Sequence, residues 1–323
     1  MESLKNAIFC INAFCGILFN FIAIYVTIKK SKDKSGEGYL KLMLLLFLSG
    51  IISSIIHGIL RIQILIINDT MVFVLEIFNS FLENKIFLVF SIFFTYFTLT
   101  LPTSILISRY LFICKNIELN IFKTAIIIFI FSLLVLLVSH GVWTITNELP
   151  NDIISSWIIK EKINGKILTL NTFGIGNKII LKEWYLLFIE VLLYFLINYT
   201  TVIVLFLKYK KYINELENIM SEKTKKMNRE FMLILLLQSF APLFVTGFPD
   251  IIFVIMIIFK YLYGAEELGT IVLQLLNFTP IVNALLFLLL PSTNRKYIKK
   301  VFKKIYYITK GVNAPIAVTS IKN

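Results

Sequence analysis

Long apolar stretches alternate with short polar connections along most of this chain. A helix needs about 20 mostly apolar residues to cross a bilayer, and the sequence contains seven stretches of that kind, each ended by charged or polar residues. Their bounds are 7–28, 39–64, 87–113, 125–145, 184–207, 231–259 and 270–290. The pattern predicts an all-α integral membrane protein built as a seven-transmembrane helix bundle.

Basic residues are concentrated in alternate connections between these stretches. The first, third and fifth connections and the segment after the seventh stretch are rich in Lys and Arg, whereas the other connections are poorer in basic residues and hold acidic ones such as Asp69, Glu148 and Glu266. Cytosolic connections carry an excess of basic residues. The chain is therefore predicted to be a multi-pass plasma-membrane protein with its amino terminus outside and its carboxy terminus in the cytosol.

The segment after the seventh stretch has its own periodicity. Its apolar residues recur at helical spacing with lysines between them. A helix with one apolar and one basic face binds the surface of an anionic leaflet, so membrane lipids are expected partners. We therefore predict a bundle over residues 1–293, a basic amphipathic cytosolic helix over 294–310 and a flexible tail over 311–323.

Composition supports this class and excludes others. The 323 residues are 58% hydrophobic and 16% charged, with a mean hydropathy of +0.84, which a water-soluble core could not bury. The net charge of +13 is spread over the connections instead of forming one aromatic-interleaved patch, so no nucleic-acid partner is predicted. Three cysteines, Cys10, Cys15 and Cys114, are too few and too poorly placed for a disulfide framework.

The sequence shows no catalytic signature. It contains two histidines, His57 and His140, and no zinc-protease, nucleophile-elbow or phosphate-loop motif. We predict that the chain is not an enzyme and has no metal or cofactor. A multi-pass carrier would show internal repeats, and none is evident. The alternatives are a seven-helix ligand-gated channel subunit, which would place the amino terminus in the cytosol, and a multi-pass carrier.

Ionisable residues inside spans are costly and therefore functional candidates. The sequence places His57 and Arg61 in the second span, Glu190 in the fifth and Asp250 in the sixth, all toward the outer side. Glu190, Asp250 and His57 are predicted to bind a ligand in an outward-facing pocket between the helices. The alternative is that these groups pair structurally or reach the interface, which is favoured for Arg61.

Prolines and small residues mark two further features of the spans. Pro242, Pro249 and Pro280, like Pro102, are predicted to kink their helices, because each removes an intrahelical hydrogen bond. Small residues recur every four positions along one face of the second span, which predicts close packing of that face. They are Gly50, Ser54 and Gly58.

Three segments together resemble the nematode serpentine chemoreceptors, and most closely their Str-like branch. The first is SRYLFICK, from Ser108 to Lys115, at the inner end of the third span. The second is QSFAP, ending at Pro242, with Pro249 seven residues on. The third is TPIVN, ending at Asn283, followed by the basic RKY segment. The resemblance covers nearly all the spans through their order, spacing and charge pattern.

The resemblance implies a chemosensory, olfactory-type receptor coupled to a G protein. Such a receptor binds an external small molecule and activates a heterotrimeric G protein, with a sensory cilium as a candidate location. Arg109, Tyr110, Glu230 and Asn283 match positions implied to act in coupling and switching. By analogy with rhodopsin-like receptors, Arg109 and Glu230 are predicted to form an inactive-state latch. The sequence departs from the rhodopsin-like pattern at Ser108, where that pattern has an acidic residue, at Ala284, where it has a proline, and in lacking an outer cysteine pair.

Glycosylation provides a test of the orientation. Asn68, Asn198 and Asn277 begin sequons, but only Asn68 lies in an outer connection. We expect any glycosidase-sensitive mass shift to be abolished by Asn68→Gln. A shift that survives this substitution, or a carboxy-terminal tag detected outside intact cells, would contradict the orientation.

Overall fold

The computed structural model describes residues 2–30, 37–67, 70–75, 80–117, 119–148, 173–178, 182–216, 221–261 and 263–309. Helices make up most of this part of the chain. A π-helical turn (Leu243–Gly247) joins the sixth and seventh of them. The helices are α1 (Glu2–Lys30), α2 (Glu37–Leu60), α3 (Phe81–Lys115), α4 (Ile121–Ile145), α5 (Lys182–Glu215), α6 (Glu222–Pro242), α7 (Phe248–Ile258), α8 (Ala265–Leu289) and α9 (Ser292–Thr309).

The helical membrane class predicted from the sequence is confirmed. In the described chain, α1 to α5 and α8 contain six stretches long and apolar enough to cross a membrane. The sixth predicted span is assembled differently, from the end of α6, the π-helical turn and the short apolar α7. This interruption coincides with Pro242 at the end of α6 and Pro249 in the first turn of α7. By contrast, α3 and α8 continue through Pro102 and Pro280.

The small-residue face of α2 packs directly against α1. A Cβ added to Gly58 would stand 2.6 Å from the Cβ of Ala13, and one added to Gly50 would stand 2.8 Å from Oδ1 of Asn20. Gly16 of α1 likewise has no room for a Cβ beside Ser54. The two backbones can approach this closely only because these side chains are small.

A four-stranded antiparallel sheet in the connections between spans was not predicted. Its strands are β1 (Gln63–Ile67), β2 (Thr70–Leu75), β3 (Asn147–Glu148) and β4 (Phe173–Lys178), in the order β1-β2-β4-β3. The predicted extension of the second span to residue 64 is therefore wrong. The helix ends at Leu60, because Arg61 has a φ of 44°. Strand β1 begins two residues after Arg61, at Gln63. Arg61 lies outside the span and places Nη2 3.8 Å from Sγ of Cys10.

Strands β2 and β4 connect two parts of the chain that are distant in sequence. β2 precedes α3 in the chain, and β4 belongs to the connection between α4 and α5. All six residues of β2 pair with β4, from Thr70 opposite Lys178 to Leu75 opposite Phe173. This ladder joins the strand before α3 to the connection between α4 and α5 through backbone hydrogen bonds, and Cys10, Cys15 and Cys114 are free thiols.

The segment after the seventh span forms α9, which begins two residues earlier than predicted. Nδ2 of Asn294 donates to the carbonyl of Phe287 at 2.7 Å across the junction with α8. The ring of Tyr297 lies 6.5 Å from that of Tyr25 in α1, so the first turns of α9 pack against the bundle. The predicted tail over 311–323 and the sequon at Asn68 lie outside the described residues.

The close contact between α1 and α2 predicts a strong response to added bulk. Gly58→Leu should destabilise the bundle by about 1–3 kcal/mol, because neither backbone can retreat from the clash with Ala13. The check is the thermal unfolding midpoint of purified protein in detergent. Ile59→Leu is the matched control, since Ile59 is 52% exposed, and an equal loss in both variants would contradict close packing at Gly58.

Candidate functional site

A small cavity lies beneath the sheet, among α3, α4, α5, α7 and α8. Its volume is about 100 Å³ and most of its lining side chains are apolar. Ile64, Met71 and Phe73 of the first two strands form its roof. Leu273 and Leu276 line it from α8. The cavity therefore lies between the four-stranded sheet and the ends of the helices nearest to it.

Asp250 is the carboxylic side chain among the described lining residues, and it is held in place by a tyrosine. Oη of Tyr96 in α3 donates to Oδ2 of Asp250 in α7 at 2.8 Å, and both residues are buried. Tyr194 of α5 in turn fixes Tyr96: its hydroxyl donates to the Tyr96 carbonyl at 3.0 Å, and the two rings meet edge to face at 4.9 Å. Three helices thus converge on one carboxyl group.

The local chain explains why Asp250 occupies this position. It lies in the first turn of α7, immediately after Pro249. Proline is well tolerated there because the first amides of a helix have no intrahelical partner. The π-helical turn and Pro249 thus interrupt the regular α-helical hydrogen bonding of the sixth span immediately before Asp250.

The rest of the lining restricts the chemistry of an occupant. Lys260, which follows α7 and is exposed, is the basic residue among the described lining side chains. The remaining surface offers mostly aliphatic and aromatic contacts. For comparison, an apolar cavity of about 150 Å³ holds one benzene molecule. The site suits a small, mostly apolar molecule with one group able to hydrogen-bond to Asp250 or Tyr96.

Glu190 is buried, but it does not line this cavity. It packs between α4 and α5, against Gly141, where an added Cβ would clash with its carboxyl group. Its Oε1 lies 3.4 Å from Nδ1 of His140, whose side chain is 62% exposed. Depth alone led to the prediction that Glu190 and Asp250 share a pocket, and the structure does not bring them together there.

His57 also lies away from the cavity, at the contact between α2 and α3. Its Nε2 is 2.6 Å from Oγ1 of Thr95, and its Nδ1 is 3.0 Å from Oγ of Ser91. Both ring nitrogens therefore have partners within the bundle. This arrangement satisfies a buried imidazole without any ligand, so the geometry does not support the ligand-binding role predicted for His57.

A second polar cluster lies deeper in the bundle and joins α1, α3, α6 and α8. Nδ2 of Asn283 is 3.5 Å from the carbonyl of Thr98, and Nε2 of Gln238 is 3.4 Å from the carbonyl of Asn283. Nδ2 of Asn20 donates to the carbonyls of Gly16 and Pro280 at 2.7 and 3.2 Å. The predicted switching residue Asn283 thus lies where four helices exchange hydrogen bonds.

The predicted coupling residues Arg109 and Tyr110 lie in the last two turns of α3, and both are half-buried. The side chain of Tyr209 in α5 lies near Arg109 and Cys114. Tyr209 itself is fully buried. Glu230 belongs to α6, but its side chain lies outside the described part of the structure. The latch between Arg109 and Glu230 therefore stays a prediction.

Sequence reasoning missed Tyr96 and Asn20. Tyr96 is one of 14 tyrosines, and nothing in its neighbourhood marks it as the partner of a carboxyl group in another span. Asn20 carried a usable signal, because an amide in the middle of an apolar stretch must find a hydrogen-bond partner within the membrane.

Comparison with known proteins adds a family assignment to this geometry. Residues 5–299 match the family described as serpentine type 7TM GPCR chemoreceptor Str. The match covers every described helix from α1 to α8 almost completely and the start of α9. No curated protein matches the chain.

Proposed function

The chain belongs to the Str family of serpentine seven-transmembrane chemoreceptors, and on that premise we propose that it binds a small external molecule around Asp250. Binding then activates a heterotrimeric G protein on the cytosolic side. The protein performs no chemistry on its ligand.

The hydrogen bond between Tyr96 and Asp250 is the observation that carries this proposal. Burying a carboxyl group in an apolar cavity costs free energy of folding. Here Oδ2 of Asp250 accepts a hydrogen bond from Oη of Tyr96, on a neighbouring helix, at 2.8 Å. A ligand with an uncharged hydrogen-bonding group, such as a hydroxyl, gains a preoriented partner there, while its apolar part fills the remaining lining. The proposed ligand class follows from this combination of one polar contact and a volume of about 100 Å³.

The same helices reach both the cavity and the proposed coupling surface. Tyr96 and Arg109 lie on α3, about 20 Å apart along the helix axis at a rise of about 1.5 Å per residue. Asp250 is connected through the π-helical turn to α6, where Gln238 bonds to the carbonyl of Asn283. A ligand that changes the distance between α3 and α7 favours one of two bundle arrangements and so changes the inner surface.

The proposed topology follows from the distribution of charge. With the amino terminus outside the cell, the cavity and sheet face the exterior, and the basic segments and α9 face the cytosol. A plasma-membrane location, in a sensory cilium for example, fits a receptor for external chemicals. Arg109, Tyr110 and the basic segment between α5 and α6 would then form the G-protein surface.

Asp250→Asn tests the ligand site. It keeps the shape of the side chain but changes its hydrogen bonding, so potency should fall by about five- to thirtyfold, equivalent to about 1–2 kcal/mol. The measurement is an agonist dose–response curve in a reporter cell, at matched surface expression, with agonists found by screening the wild-type receptor.

Glu190→Gln is the matched control, because it neutralises another buried carboxyl group that lies outside the cavity. We expect its potency to stay near that of the wild-type receptor. Unchanged potency of Asp250→Asn toward several agonists would reject the cavity as the binding site. An equal loss in both variants would show that the bundle, and not ligand recognition, is disturbed.

The latch generates a separate prediction about signalling without ligand. If Glu230 holds Arg109 in the inactive state, Glu230→Gln should raise basal activity. The substitution should shift the free-energy difference between the inactive and active states by on the order of 1–3 kcal/mol. Arg109→Ala should abolish signalling, because the same guanidinium would face the G protein in the active state. Flat basal activity in Glu230→Gln, with agonist response and surface expression intact, would exclude the latch.

A further inference from the structure

The exposure of the cavity lining is confined to one side. Every described lining residue from α3, α4, α8 and the sheet is buried. The lining residues that are not fully buried come from the start of α5 and the end of α7. They are Trp184, Tyr185, Leu187 and Phe188 of α5, Val254 and Ile258 of α7, and Lys260 just beyond it.

The side of the cavity beneath the sheet is closed. Met71 and Phe73 of β2 line the cavity and are 1% and 9% exposed. Side chains alternate between the two faces of a strand, so Val72 and Val74 point away from the cavity, and they are also buried. Both faces of β2 are thus covered, and a molecule in the outer water has no opening through this strand.

The helices on either side of the exposed edge pack against different partners. α5 packs on α3 and α4, whereas α7 packs on α8. The cavity lies between the start of α5 and the end of α7. The edge of this gap carries Phe188, Val254 and Ile258, which are apolar side chains suited to contact with lipid tails.

From this arrangement we propose that the ligand enters the cavity sideways, from the outer leaflet of the membrane, through a lateral portal between the start of α5 and the end of α7. This inference rests on the proposed function, since it concerns the route to the same cavity. Entry by this route selects uncharged molecules that partition into the bilayer.

The residues around the portal fit that depth in the membrane. Trp, Tyr and Lys are enriched where hydrocarbon meets headgroups, and Trp184, Tyr185 and Lys260 surround the exposed edge. The basic Lys260 also stands at the entrance, where it disfavours a cationic molecule. An apolar solute concentrates in the leaflet before it binds, so the membrane raises the local ligand concentration.

Thiol labelling tests the route without a known agonist. Cys10, Cys15 and Cys114 are replaced by alanine, and Leu276→Cys places one thiol in the buried lining of α8. Intact cells are treated with methyl methanethiosulfonate, which is small and membrane-permeant, or with its trimethylammonium-ethyl analogue, which is charged. Labelling is read as the mass of the purified protein. We expect the neutral reagent to label the introduced thiol and the charged reagent to leave it unlabelled.

A bulky residue in the portal should then slow the neutral reagent. Ile258→Trp adds bulk at the gap, and we expect it to reduce the labelling rate about tenfold, a modest increase in the entry barrier. Ile255→Trp is the matched control, because Ile255 lies on the same helix, is 42% exposed and does not line the cavity. Comparing one reagent across the two variants removes differences in reagent size.

Two further variants make each outcome decisive. Val272→Cys provides a second buried lining position on α8 if the Leu276→Cys chain is poorly expressed. Tyr263→Cys, at an 87% exposed position, should react with both reagents. Equal labelling of the buried thiol by both reagents, or equal rates in Ile258→Trp and Ile255→Trp, would overturn the portal. Neither result would affect the Asp250 test, so the two proposals fail separately.

Discussion

Hydrocarbon offers no water to pair with a polar group, and this constraint governs how the bundle is assembled. Hydroxyl groups meet it locally, by donating to a carbonyl one turn earlier, as Thr27 does to Ala23 and Ser54 to Gly50. Longer polar side chains must reach another helix. Their bonds are specific ties between surfaces that are otherwise apolar and interchangeable, so they fix how each helix is rotated. They join Tyr96 to Asp250, His57 to Thr95, and Asn20 to Pro280.

The sixth span is where the regular pattern of backbone hydrogen bonds is interrupted. Pro242 and Pro249 cannot donate backbone hydrogen bonds, and the π-helical turn lies between them. Helix α6 contributes Gln238 to the polar cluster around Asn283, while α7 contributes Asp250 to the cavity. Because the connection between these two parts already departs from regular α-helix, a change in their relative orientation would break few additional bonds. The span therefore suits a role in transmitting ligand binding.

Hydropathy predicted the order and approximate bounds of the six span-length helices in the described chain, because burial in lipid requires long apolar runs whatever the tertiary contacts. It could not predict which face of each helix points inward. A rise of about 1.5 Å per residue gives the depth of Glu190 and Asp250 but not their rotation about the helix axis, and these spans are apolar on nearly every side. The sheet was missed because Ile62 to Ile67 reads as a continuation of the second apolar stretch, and only the positive φ of Arg61 separates helix from strand.

The ladder between β2 and β4 has a consequence for biosynthesis. Its two strands are separated in the chain by α3 and α4, so β2 must wait for two whole spans to be inserted before its partner emerges. Until then the β1–β2 hairpin presents an unpaired edge, which is prone to join the wrong strand. The hydrogen bonds between the strands form and break reversibly. Cys10, Cys15 and Cys114 are free thiols, so no disulfide among them fixes the pairing of β2 with β4. Pairing of β2 with β4 can therefore form only after α3 and α4 have been made, and until then the free edge of β2 is the part of this sheet most open to mispairing.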